Sequence, residues 1–305
     1  MDAIAPLIAS SITAGTPLML AALGLLINEK AGVLNLGAEG VMLVAAVLGF
    51  ATTLHTGSLT LGFLAGAAAG MLMSGFFAWL TVWLGANQVA TGLALSLFGV
   101  GASAYIGISY TGQSLQAAPT GVPVLENIPF IGPALFQQNA MVYLALVLCC
   151  TIMWFLMRTR AGLVLRAVGE SPSSAHALGY DVRWIRCAAV LFGGACCGLA
   201  GGFISLVYTP TWTEGMIAGR GWIALALTTF ATWRPLRVWV GAYLFGGITI
   251  LSFHMQALGV PVASQVLSML PYVATIVVLV LISRNANWIR LNMPASLGKN
   301  FNPNL

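Results

Sequence analysis

The chain has 305 residues, of which 59% are apolar and only 6% charged, with a formal net charge of +5 from 12 Lys and Arg against 7 Asp and Glu. An ordinary soluble domain carries roughly 25% charged residues, and a soluble protein of this size could not hide so much apolar surface. The composition excludes a soluble enzyme, a nucleic-acid-binding protein and a disordered chain, leaving an all-α polytopic membrane protein whose basic excess is read for topology.

A spanning helix needs about 20 mostly apolar residues. In chain order such runs cover 5–27, 37–55, 59–84, 88–108, 140–157, 187–208, 236–258 and 263–283. The chain opens Met1-Asp2 with no basic region, so the first run is read as a retained helix rather than a cleaved signal. Trp222 to Thr232 is too short to cross at full length and marks a tilted, half-length or re-entrant helix. Such elements are tolerated only where protein or a watery cavity covers the broken backbone.

Sidedness follows from the basic residues. Arg158, Arg160, Arg166, Arg183 and Arg186 crowd residues 158–186, Arg234 and Arg237 open a second patch, and Arg284, Arg290 and Lys299 follow the last run, whereas 108–139 holds no Lys or Arg. The positive-inside rule places the 158–186 loop and the 284–305 tail in the cytoplasm and the 108–139 loop outside. The N-terminus is then outside, the C-terminus cytoplasmic, and the count is about nine crossings in a single transmembrane domain, 1–305. Eight spans plus a re-entrant helix is the competing count, and Arg220 falls awkwardly near the outer side. Gly62, Gly66 and Gly70, and likewise Gly194, Gly198 and Gly202, recur every four residues, a spacing that permits close helix approach in lipid.

Four segments carry the candidate chemistry. In the 158–186 loop, Ser171 suits a helix N-cap, Pro172 the first helical position and Gly179 the residue past the end, which predicts a capped helix of about two turns. It is either a plain connector or a rigid knob for a soluble partner, and the residues alone do not choose. The break from Asn28 to Gly40 interrupts an apolar region with Glu29, Lys30, Asn35 and Glu39. Asn35 and Glu39 share a face if the segment is helical, and ionisable residues at membrane depth mark a pathway or a paired contact. Asn87, Gln88 and Thr91 at the head of the fourth run are the other pathway candidates. The outer segment, stiffened by Pro119, Pro123, Pro129 and Pro133, is a landing surface or an inert loop. The five cysteines lie in apolar runs without ligand spacing and are read as packing residues. No P-loop, HExxH or GxSxG occurs, so no catalytic residue and no metal site is expected.

Three blocks carry a resemblance: Glu29 to Gly40; Leu165 to Pro172 through Gly179 and on to Gly193–Gly202; and Ala218 to Leu227 followed by Trp233-Arg234-Pro235. With the outer Ile128–Pro133, they make the chain similar to permease subunits of ABC importers for nucleosides and simple sugars, within the group that includes ribose and branched-chain amino acid permeases. The similarity spans about residues 15–283. It implies a type II-like importer architecture, and it places the coupling helix on Pro172–Leu178, with Gly169, Glu170, Ser171, Pro172, Ala175 and Gly179 in contact with an ATPase. It further implies a second homologous permease in a heterodimer, an extracytoplasmic binding protein, the bacterial inner membrane, and no cofactor on this chain, since ATP and Mg are used by the partner ATPase. Ser171 and Ser174 stand where Asn and Ala are common, and Ala231-Thr232 where a Gly is usual before the Trp. A stand-alone secondary transporter is the alternative. That class needs mid-membrane coupling carboxylates, for which Glu39 is the only candidate.

Overall fold

The computed structural model describes residues 4–116, 118–121, 132–259, 262–283 and 292–302. Pro123, Pro129, the Ile128–Ile131 part of the outer block, Arg284 and Arg290 lie outside the described residues. Among the described residues eleven α-helices follow in order: α1 (Ile4–Lys30), α2 (Ala38–Thr56), α3 (Leu59–Ala78), α4 (Gln88–Gly107), α5 (Ala140–Arg158), α6 (Arg160–Glu170), α7 (Pro172–Ala177), α8 (Val182–Phe203), α9 (Arg220–Phe230), α10 (Pro235–Ala257) and α11 (Ser264–Ser283). Wider π-type turns extend α3 to Trp83 and α8 to Tyr208. Among the described residues the only β pairing is one isolated antiparallel bridge, Ser114 to Thr211.

Seven of these helices are long and apolar enough to cross a membrane: α1, α2, extended α3, α4, α5, extended α8 and α10. The apolar stretch of α11, Gln265–Val277, is shorter. The 11 residues of α9 reach about 16 Å at 1.5 Å per residue, half a bilayer core. α1 sits at the centre, buried continuously from Ala14 to Glu29, and packs against α8, α9 and α10. The peripheral helices turn large apolar side chains outward, among them Leu97, Phe98, Trp154 and Leu251. That surface suits lipid and would be a liability in water.

The two glycine stripes meet each other. α3 packs most extensively on α8, and a Cβ at Gly70 would overlap the Gly194 carbonyl oxygen, while one at Gly66 would stand 3.2 Å from the Gly198 oxygen. Lipid tails are as apolar as leucine, so helices gain little from burying side chains against each other and much from close backbone approach. A second such crossing brings Gly99 of α4 onto Gly40 of α2.

One local expectation changes. α2 begins at Ala38, so Asn35 stands in the turn before it and shares no helical face with Glu39. Asn35 Oδ1 instead accepts the Gly37 backbone N–H at 2.9 Å, closing the turn.

Candidate functional site

α2 and α9 both begin inside the bundle, and their first residues meet. Gly40 lies against Gly99, near the middle of α4. Tyr272, near the middle of α11, donates to the Ala218 carbonyl at 2.9 Å. The junction is therefore at mid-span. From it α2 runs away from the end where Leu34 meets Gln88, whereas α9 runs back toward that end, to Glu29. Two helix N-termini thus face one another, each with unsatisfied N–H groups and the positive end of a dipole.

Glu39 resolves that conflict. One carboxylate oxygen accepts the Gly219 N–H at 2.8 Å and the other the Gly221 N–H at 2.7 Å. The same carboxylate is in the first turn of α2, so one anion serves both helix ends. The chain reaches this position through a left-handed pair, Ala218 at φ 51° and Gly219 at φ 79°. A Cβ on Gly221 would collide with Glu39 at 2.6 Å. Arg220 points from the same turn to Tyr208, its guanidinium 4.9 Å from the ring centroid, and donates to the Met216 carbonyl at 3.4 Å.

The other end of α9 is held by a second carboxylate. Glu29, 2% exposed, accepts from the Thr228 hydroxyl at 3.0 Å and from the Trp233 indole N–H at 2.5 Å. The turn into α10 carries two consecutive non-glycine residues in the left-handed region, Thr232 at φ 48° and Trp233 at φ 54°. Glu29 and Lys30 are thus engaged within the protein, Lys30 through its ammonium to the Asn292 carbonyl at 2.8 Å.

The six residues singled out in the 158–186 loop form one continuous piece of structure. Ser171 caps α7 by accepting the Ser174 N–H, Pro172 is the first helical residue, and Gly179 follows the helix at φ 88°. Ala175 is buried with Val168, Val182, Ile185 and Phe301, which seats α7 on α6 and α8. Glu170 and Gly179 are exposed. Gly169 is buried, and a Cβ there would overlap the Lys30 carbonyl oxygen, so this segment rests directly on the last turn of α1.

The five pathway candidates are not gathered at one point. Asn87 is an exposed N-cap of α4, its Oδ1 accepting the Ala90 N–H. Gln88 is buried and accepts the Leu34 N–H at 2.8 Å. Thr91 faces an apolar hollow of about 640 Å³ among α2, α3 and α4. A more polar hollow of about 510 Å³ lies between the start of α1, the residues before α5 and the ends of extended α8 and α10. Ser10, Thr13, Gln137, Gln138, Tyr208 and Phe253 line it. The sequence reading missed this hollow, the Glu29–Trp233 bond and the Tyr272–Ala218 bond. Only Glu29 and the short α9 had drawn notice from composition and length.

Comparison with known proteins agrees over nearly the whole chain. The family described as "branched-chain amino acid transport system / permease component" matches residues 7–282. The provisionally named glucose ABC transporter permease protein TsgC13 of Haloferax volcanii is 39% identical, covering 99% of each chain. The nucleoside ABC transporter permease protein NupC of Lactococcus lactis is 34% identical over 90% of this chain and 91% of its own. The guanosine ABC transporter permease protein NupQ of Bacillus subtilis is 30% identical over 90% of each. No solved structure matches.

Proposed function

The chain belongs to the branched-chain amino acid transport system / permease component family, and from that premise we propose that it is the permease subunit of an ABC importer that passes a nucleoside or simple sugar across the bacterial inner membrane. It is a transport component and not an enzyme. The observation that carries the reading is α7, a short helix capped at both ends, packed on α6 and α8 and joined directly to the end of α6, whose Gly169 rests on α1. A helix so fixed accepts force from a soluble partner and passes it inward. Gly169, Glu170, Ser171, Pro172, Ala175 and Gly179 form the ATPase contact, and the ATPase binds the ATP and Mg. A second, homologous permease completes a heterodimer, and a binding protein delivers solute from outside.

The N-terminus is outside and the C-terminus cytoplasmic. About nine crossings, in a type II-like arrangement, include one made of residues 209–219 and α9. Asn35, Glu39, Asn87, Gln88 and Thr91 belong to the walls that move as the cavity changes sides. The solute class is supported by the relatives named for glucose, nucleosides and guanosine. The amide, hydroxyl and aromatic lining of the outer hollow, with no Asp, Glu, Lys or Arg among the described residues, suits a neutral, hydroxylated ring. A stand-alone secondary transporter would need Glu39 free to bind an ion, whereas both its oxygens are taken by backbone N–H groups.

Closure of the ATPases changes the permease only if their contact differs between its two states. The test is replacement of Gly169–Ser171 or Pro172 in the assembled transporter. Uptake and solute-stimulated ATP hydrolysis should fall while the chain still reaches the membrane. Undiminished, ATP-coupled uptake would refute the coupling role.

A further inference from the structure

We infer that residues 292–302 form a positioning strap for the α6–α7 segment, in which Ser296 and Arg186 tie the end of α6 to the turns that open α2 and α4. The inference rests on the reading of α7 as the ATPase contact. A polar stretch after a final apolar helix is ordinarily solvated, with water satisfying its backbone. Here the backbone and side chains of that stretch are directed into several separate parts of the bundle.

The centre of the arrangement is the Gly169 carbonyl, which accepts both the Ser296 N–H at 3.0 Å and the Ser296 hydroxyl at 2.6 Å. The Ser296 oxygen in turn accepts from Arg186 Nη2 at 3.0 Å. Arg186, 2% exposed, donates through Nε to the Ala31 carbonyl at 3.1 Å and through Nη1 to the Lys299 carbonyl at 3.0 Å. A buried guanidinium is costly unless its donors are satisfied, and two of these three acceptors are supplied by the strap. The Lys299 carbonyl also accepts Gln88 Nε2 at 3.4 Å, while Gln88 Oε1 takes the Leu34 N–H. The Gly298 N–H donates to the Gly32 carbonyl at 3.2 Å, and Asn300 Nδ2 donates to the carbonyls of Gly85 and Ala86 before α4. At its far end the Phe301 ring stands edge-on to His176 of α7, centroids 5.6 Å apart.

The consequence is mechanical. Without the strap, α6 and α7 would touch the α1–α2 turn mainly where Gly169 meets Lys30. With it, displacement of α7 is shared with Ala31, Gly32 and Leu34 ahead of α2, with Gly85 and Ala86 ahead of α4 and with Gln88 at its first residue. Those turns lead to Glu39 and Thr91, the walls assigned to the moving cavity. Ser296 and Arg186 are thus positioning residues that touch neither solute nor nucleotide.

The experiment uses the full chain assembled with its ATPase, partner permease and binding protein in membrane vesicles. It reads solute imported per ATP hydrolysed, together with the amount of ATPase that co-purifies. Ser296→Ala should lower the ratio about tenfold, within the 5–150-fold range common for coupled sites, with co-purifying ATPase unchanged. Deletion of 292–305 should do the same or more, and Lys299→Ala, which keeps the backbone carbonyl, should leave the ratio intact. An unchanged ratio in Ser296→Ala overturns the strap, as does a lowered ratio that merely follows loss of bound ATPase. If the deletion variant fails to reach the membrane, Ser296→Ala decides. Uptake by the unaltered assembly without ATP would instead sink the reading of α7 itself, which separates the two failures.

Discussion

Glu39 offers the sharpest test of the junction between α2 and α9. Its carboxylate accepts two backbone N–H groups at 2.8 and 2.7 Å and lies at the N-terminus of both helices. A hydrogen bond to a charged group contributes about 1.5–3 kcal/mol, and a buried donor left unpaired costs about 1–3 kcal/mol. Glu39→Ala removes both acceptors and the charge, so it should destabilise by about 3–6 kcal/mol. Glu39→Gln keeps one carbonyl oxygen of similar reach but turns an NH₂ toward the second N–H, and should lose about half as much. Apparent melting temperatures in lipid nanodiscs should rank wild type above Glu39→Gln above Glu39→Ala. Hydrogen exchange at Gly219 and Gly221 should accelerate in the same order. A Glu39→Gln chain that melts and exchanges like wild type would refute the argument that this anion holds two opposed helix ends.

Two further expectations test other parts of the bundle. Gly70→Ala places a methyl group against the Gly194 carbonyl and should reduce folded yield, with a loss of about 1–3 kcal/mol typical of overpacking; Gly101→Ala, where an added Cβ meets nothing within 4 Å, should be neutral or slightly stabilising, and equal melting of the two variants would count against the stripe-on-stripe crossing. Trp233→Phe and Glu29→Gln both weaken the 2.5 Å indole–carboxylate bond, so a double-mutant cycle by thermal unfolding should show a coupling of about 0.5–3 kcal/mol, and strict additivity would rule the bond out as a stabilising contact.

What could be read in advance depended on whether the cause was local. Ser171, Pro172 and Gly179 act within one short helix and its caps, so cap, first residue and terminator were visible as residue types. Gly62, Gly66 and Gly70 were visible as a period, because helix geometry alone puts every fourth residue on one face. That Gly66 faces Gly198 and Gly70 faces Gly194 is a tertiary fact with no trace in either stripe. Glu39 drew notice as a charge at depth, yet its partners are some 180 residues away in sequence and are backbone N–H groups, which no side-chain pattern reports. The face that Asn35 and Glu39 would share in a helix does not form, because Asn35 lies before the start of α2 and its side chain closes the turn onto the Gly37 N–H. The strap was illegible for a related reason: Gly298 and Lys299 contribute main-chain atoms, Ser296 adds one hydroxyl whose partners are over 100 residues away, and the sequence there reads as an ordinary polar tail.

The strap also has a consequence in time. Residues 292–302 leave the ribosome after α1–α11. Until then Arg186 lacks two of its acceptors and the Gly169 carbonyl lacks both of its donors. The base under α6 and α7 is therefore completed only after α1–α11 are available to insert. A chain cut short before this segment would present α7 on an unfinished base.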